Sequence, residues 1–386
     1  MHTRRFYFIL LATLCPLLLA CIWDRDTLAE EAKGKASEVR TLVGWVDRYP
    51  DKYYEMRLER VRNELKKQPD KLALYDDAAV ALDRLHRSDE AIATILEKKK
   101  RIALLADSPQ KVEHEYRYLA NLGTFYAHRW MGKARAEREA NYEDLIKAEE
   151  LIAAAINLNP DAHFGREKYQ LMTLRWLNPE NDTVSKKKGD RGLPIVGQFE
   201  DIDADEAVEG LLGMVRLGAA SRSVDIHVAL AKVLSHQGHA SLALIAQLRC
   251  NELTEAGGES LHHNFEVRAG LLTKFLKTLE DEEPVQEWYK KAREVTESRS
   301  ALREVYILEK LEKGEHPDTH PEFWASWREF ELPALPDEKT SPDQQRMLMT
   351  TGILAVCGLL GLSILVVWWL KRAGKKNAQR IPFNLG

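Results

Sequence analysis

The chain has 386 residues, 30% of them charged and 8% aromatic, a formal net charge of -4, and four cysteines. Arg4, Arg5, Lys371, Arg372, Lys375, Lys376 and Arg380 sit at two ends that carry no acid, so the middle is more acidic than the total. That argues against a nucleic-acid partner, which needs a clustered positive surface. Cys15 and Cys357 lie in apolar runs and Cys21 follows one, leaving Cys250 alone in the soluble part; a disulfide framework is excluded and packing must supply stability.

In chain order, Arg4-Arg5 precede an apolar run from Phe6 to Ile22, interrupted by Thr13 and Pro16, which is the pattern of an export signal. Its end, Leu18-Leu19-Ala20-Cys21, resembles the lipobox of bacterial lipoprotein signal peptides, although Leu19 replaces the smaller residue usual there. That resemblance implies lipidation at Cys21. A run of about 17 residues can also just span a bilayer, so an uncleaved anchor and ordinary cleavage stay open, and all three export the domain beyond it. Thr27 and Glu30 have capping-box spacing, and Trp23 beside them is an interfacial anchor or a cap on the first helices.

Tyr53 to Lys67 carries Met56, Leu58, Val61 and Leu65 among charges and is expected to be a helix stopped by Pro69. Tyr75, Ala78-Ala79, Leu82, Ala91 and Ile95 then outline a helical hairpin, with Lys98 and Ala103 irregular at its exit; the run Lys98 to Arg101 is expected to be a solvated helix end. Leu119, Leu122-Gly123 and Tyr126, then Ala148, Ile152, Ala155 and Pro160, outline a second hairpin in which Gly123, Ala148 and Ala155 allow close approach. The charged residues between Tyr126 and Ala148 are expected to lengthen both helices, giving a docking arm or a tolerated insertion. His163 to Leu177 and Asp205 to Leu217 read as helices. Leu230-Ala231, Leu234, Gly238 and Ala243 restore the hairpin pattern, with Gln247 in an apolar place.

These hairpins resemble the tetratricopeptide repeat (TPR), a unit of about 34 residues that stacks into a solenoid. The likeness covers Tyr53 to Gly257 and is closest at Leu119 to Pro160. It implies an all-α, TPR-like helical-hairpin solenoid whose first helices line a concave, protein-binding surface. By that resemblance the ligand-facing places are Asp76, Asp83, Arg84, Arg117, Thr124, His128, Lys232, Ser235 and His236. The competing reading is a set of solvated helix faces.

Ser260 to Leu279 and Val285 to Leu311 are expected to be two more helices, and Phe323, Trp324, Trp327 and Phe330 a helical stripe that caps the open end or lies in a membrane interface. Pro333, Pro336 and Pro342 form a stalk. Met347 to Leu370 is free of charge, ends in Trp368-Trp369 and leads into Lys371-Arg372, the pattern of a transmembrane helix with a cytoplasmic C-terminus. The expected organisation is a signal or anchor (1–21), an N-terminal half (22–178), a mobile loop with Lys186-Lys187-Lys188 (179–204), a C-terminal half (205–330), a stalk (331–346), a span (347–370) and a basic tail (371–386).

Chemistry has little material. His236 and His239 sit across a turn and His262-His263 on a later helix, but no His-Glu-x-x-His, Cys-x-x-Cys, phosphate-binding glycine loop or Gly-x-Ser-x-Gly elbow occurs. The expectation is a membrane-anchored scaffold or assembly factor facing the periplasm, binding an envelope protein, with no catalysis, cofactor or metal. The alternatives are a regulatory or sensor subunit signalling through the span, and a histidine-based metal-dependent enzyme.

Overall fold

The computed structural model describes residues 38–160, 166–181, 204–216, 220–267 and 282–335. The signal with Cys21, Trp23 and the Thr27 cap, the loop from 182 to 203, the span and the tail all lie outside the described residues. Among the described residues there are twelve helices and no strand, so the fold is all-α. None of these helices is long and apolar enough to cross a membrane.

A short α1 (Glu38–Leu42) precedes α2 (Asp51–Lys67), which starts behind Pro50. Next come α3 (Ala73–Arg84) with α4 (Ser88–Ile102), and α5 (Pro109–Met131), a short α6 (Arg135–Ala140) and α7 (Glu143–Leu158). The rest are α8 (Arg166–Leu177), α9 (Ala204–Arg216), α10 (Val224–His236), α11 (Ala240–Glu255) and the long α12 (Glu283–Glu312). Short connections place consecutive hairpin helices side by side, as in α3 with α4 and α10 with α11.

Local chemistry sets the boundaries. Ser108 caps α5 by accepting from Lys111 N at 3.2 Å, with Pro109 in the first turn where no amide partner is needed. Ser223 caps α10 through Ile226 N at 3.3 Å. The α10–α11 turn needs a positive φ, which Gly238 supplies at +84°. Tyr75 at the start of α3 donates its hydroxyl to the carbonyl of Pro69 at 3.1 Å, tying one hairpin to the stop of the helix before it. In the α5–α7 pair Gly123 permits the close approach: a Cβ there would lie 2.9 Å from Ile152 Cδ1, and that side chain would have to move. Ala148, Ile152 and Ala155 are fully buried opposite.

Two apolar cores result. One gathers α2, α3, α4 and part of α5 around Tyr53, Leu82, Ile95 and Phe125. The other runs from Trp130 and Ile152 through α8 and α9 to α10 and α11, so it contains residues from both sides of the 179–204 loop. Helix α12, about 45 Å long at 1.5 Å per residue, belongs to both: Trp288, Tyr289 and Ala292 enter the second core, and Ile307 and Leu311 enter the first. Beyond Gly314 the chain turns back on α2. Arg57 (fully buried) pairs with Asp318 at 2.8 Å, and His316 Nε2 meets the Tyr53 carbonyl at 3.1 Å. The segment after α12 is therefore strapped back onto α2.

Four expectations are corrected. The insertion after Tyr126 does not simply lengthen two helices. Helix α5 ends at Met131; just beyond it Arg138 donates to the carbonyl of Lys133 at 2.8 Å, its guanidinium lies over the Trp130 ring, and Trp130 Nε1 donates to the Arg138 carbonyl at 3.3 Å. Ser260 to Val267 is not helical, because Asp225 holds Leu261 N and His262 Nδ1 accepts from Asn264 N, local bonds that compete with a helix. His262 is instead buried and stacked on Trp176 at 4.5 Å, so His262 and His263 lie in a loop. The Phe323 stripe is made of turns rather than a regular helix, and Phe323 is buried in the first core beside α2. Lys98 is not a solvated helix end: it is buried and forms a two-pronged pair with Asp76, 2.7 Å to each oxygen. That pair accounts for a lysine at a place where a small residue is expected.

Candidate functional site

The first helices of the hairpins are joined by polar bridges. His128 Nδ1 on α5 lies 2.8 Å from Asp83 Oδ2 on α3, and Gln170 Nε2 on α8 donates to Thr124 Oγ1 on α5 at 3.1 Å. Beside these bridges lies a groove of about 270 Å³. Its walls are apolar, with Ala127 and Met131 of α5, Leu174 and Leu177 of α8, Met214 of α9 and Ile226 of α10. Thr124, His128, Gln170, Thr173, Ser223 and Asp225 are the polar groups set into those walls, and exposed Arg222 and Glu259 also line the groove.

The polar groups are not all satisfied. Gln170 Oε1 and Asp225 Oδ1 are buried acceptors with no hydrogen-bond partner, as is Asp83 Oδ1 one helix away. Buried polar atoms are normally paired, and each exception costs about 1–3 kcal/mol. Burial also shifts the Asp225 carboxyl. Its Oδ2 accepts from Leu261 N at 2.9 Å, but burial dominates and pushes the carboxyl up to about 6. The arrangement offers an apolar volume flanked by acceptors, which suits an apolar side chain carried between N–H or O–H donors.

Of the nine places taken from the sequence, Thr124 and His128 line the groove, with Asp83 behind His128. Asp76 is not presented to a ligand: it is buried against Lys98 and accepts from Asn121 Nδ2 at 3.1 Å. Burial pushes Asp76 up and Lys98 down, so each charge is held by the other. Arg117 is half-buried and pairs with Glu113 at 2.8 Å. Arg84 and Lys232 are half-buried, Ser235 is buried and His236 is exposed, none of them in the groove. Sequence reasoning missed Gln170, Met214 and Asp225. The one signal for Asp225 was its place in the first turn of a capped helix, which any solvated acid shares. Among the described residues no three His, Cys, Asp or Glu side chains converge as a metal site would.

Compared with family models, curated proteins and solved structures, the chain has no significant match, so its function has to be argued from this geometry.

Proposed function

We propose that the hairpins are TPR-like units of an α-solenoid and that the chain is a membrane-anchored scaffold or assembly factor of the cell envelope. It binds a partner protein in the groove between α5, α8 and α10 and holds it near the membrane. The observation that carries this reading is the pairing of apolar walls with the partnerless acceptors Gln170 Oε1 and Asp225 Oδ1, a surface made for a donor-flanked apolar side chain. The close α5–α7 packing at Gly123, Ala148 and Ala155 supports the repeat reading. The apolar runs at both ends support the anchoring, and tethering raises local concentration so that modest contact affinity suffices.

The test begins with in-cell cross-linking, solubilisation and mass spectrometry. One recurrent envelope protein is expected, and in purified form it should bind the full chain saturably. Thr173→Arg and Met131→Arg, at half-buried groove positions, should each weaken binding at least tenfold. Recovery of the chain alone, or full affinity in both variants, contradicts the reading.

A further inference from the structure

A second cavity of about 400 Å³ lies where residues 44–50, α11 and α12 meet, and it is lined by five arginines: Arg48, Arg249, Arg293, Arg299 and Arg303. Most are gripped from behind. Arg293 donates to both oxygens of Glu252, at 2.6 and 2.8 Å, and to the Val43 carbonyl at 2.8 Å. Arg249 shares Glu252 at 2.7 Å. Arg299 pairs with Asp47 and Glu329, each at 2.7 Å, and Arg303 takes the other Asp47 oxygen at 3.4 Å. Aromatic rings fix the guanidinium planes: Arg299 lies 4.7 Å from the centre of Trp45, and Arg303 lies at the same distance from both Tyr49 and Trp324. These are pre-organised forks rather than mobile side chains.

The grip leaves donors over. Arg249 Nε and Arg299 Nη1 are buried and have no hydrogen-bond partner, and both residues are more than nine-tenths buried. Arg48 lines the cavity with one side open to solvent and the other covered, and it has no carboxylate partner among the described residues; among them it donates to Ser221 Oγ at 2.9 Å. Its charge neighbours are Arg222, Arg249, Arg293 and Arg84, so like-charge repulsion adds to burial in disfavouring its charged form. The lining carboxylates are Glu297 and Glu304, both exposed, and Glu297 already pairs with Arg293.

We propose that this cavity binds a phosphate-type oxyanion, as the head of a small molecule or of a lipid. A carboxylate is planar and one fork satisfies it, whereas these arginines come from a loop and two helices and approach from several directions, as a tetrahedral anion requires. The volume lies within the range of small-molecule sites and exceeds what a lone phosphate fills. The site is separate from the α5–α8–α10 groove and stands whether or not that groove binds protein.

The test uses inorganic pyrophosphate as probe on the purified full chain in detergent, by calorimetry and by melting, with chloride at matched ionic strength as control. Saturable pyrophosphate binding is expected, with a raised melting temperature that chloride does not reproduce. Arg48→Gln should weaken that binding at least tenfold while melting like the wild type without probe, and Arg48→Lys should fall between. A soluble anionic lysophospholipid below its micelle concentration identifies the source: competition with pyrophosphate points to a headgroup, and none to a free phosphate compound. Absence of saturable binding, or equal binding by Arg48→Gln, overturns the proposal.

Discussion

The groove and the arginine cavity are built from opposite chemistry. The groove carries partnerless acceptors, Gln170 Oε1 and Asp225 Oδ1, set into helices of the hairpins. The cavity carries partnerless donors, Arg249 Nε and Arg299 Nη1, and most of its walls come from α12 and the segment before α2. Hairpin helices thus supply one kind of surface, and α12 packed against the segment before α2 and against Arg249 of α11 supplies the other. The lesson is that closure of a helical array does more than hide its ends: it brings together residues 252 positions apart, Asp47 with Arg299 for instance, and can make a site that no single hairpin encodes.

The largest effect expected from breaking this comparison is at the strap. Asp318→Ala would remove the carboxylate that the buried Arg57 shares with Arg60 and should cost about 3–5 kcal/mol in urea unfolding. Hydrogen exchange should show the end of α12 losing protection before α5 and α8 do. The same pair sets an acid limit. Arg57 holds the Asp318 carboxyl down at about 2, so its contribution is complete above the ordinary carboxylate range near pH 4 and is lost as pH falls toward 2.

On the hairpin side, Lys98→Ala leaves Asp76 buried without its cation, with a similar expected loss of about 3–5 kcal/mol. Replacing both partners, Asp76→Leu with Lys98→Met, should restore stability to within about 1.5 kcal/mol of wild type. Two equal losses would mean that the pair itself, rather than the orphaned charge, carries the energy.

Asp225 sharpens the groove. Its folded carboxyl is raised to about 6, so the folded state holds a proton that the unfolded chain has released; stability from this group therefore falls as pH rises from about 4 to 6 and is level above. Asp225→Asn should flatten that interval, an effect of up to about 3 kcal/mol by the usual conversion of pKa to energy. Thermal melts across pH 4 to 7 check it. The smallest expected stability effect is Arg48→Gln, within about 0.5 kcal/mol because the lost bond to Ser221 is offset by relief of repulsion from the neighbouring arginines. A larger loss there would recast the arginine cavity as a structural clasp.

Much of the hairpin architecture was legible. The Pro69-to-Tyr75 interval, the turn at Gly238 and the small residues at 123, 148 and 155 are local signals, and helix boundaries track them closely. Lys98 was visible as an oddity, but its partner Asp76 was assigned to a ligand because a helix pattern does not say which neighbour covers a face. The strap after Gly314 and the arginine cavity along α12 were not read at all. The signal was present: Ala292, Thr296, Arg299, Arg303, Ile307 and Leu311 make one buried face of α12, with two arginines in core-facing register. Arginines at such places have to be paired or used, and it is the period of the helix, rather than any motif, that reveals them.

The most direct measurement of the central claim, that the groove is where a partner protein docks, is site-specific photo-cross-linking in cells. A photoreactive residue goes in turn at Thr173, inside the groove, and at Glu150, exposed on α7 and outside the groove lining. The account predicts one discrete cross-linked partner from Thr173 and none from Glu150. Equal products from both positions, or none from Thr173, would contradict it.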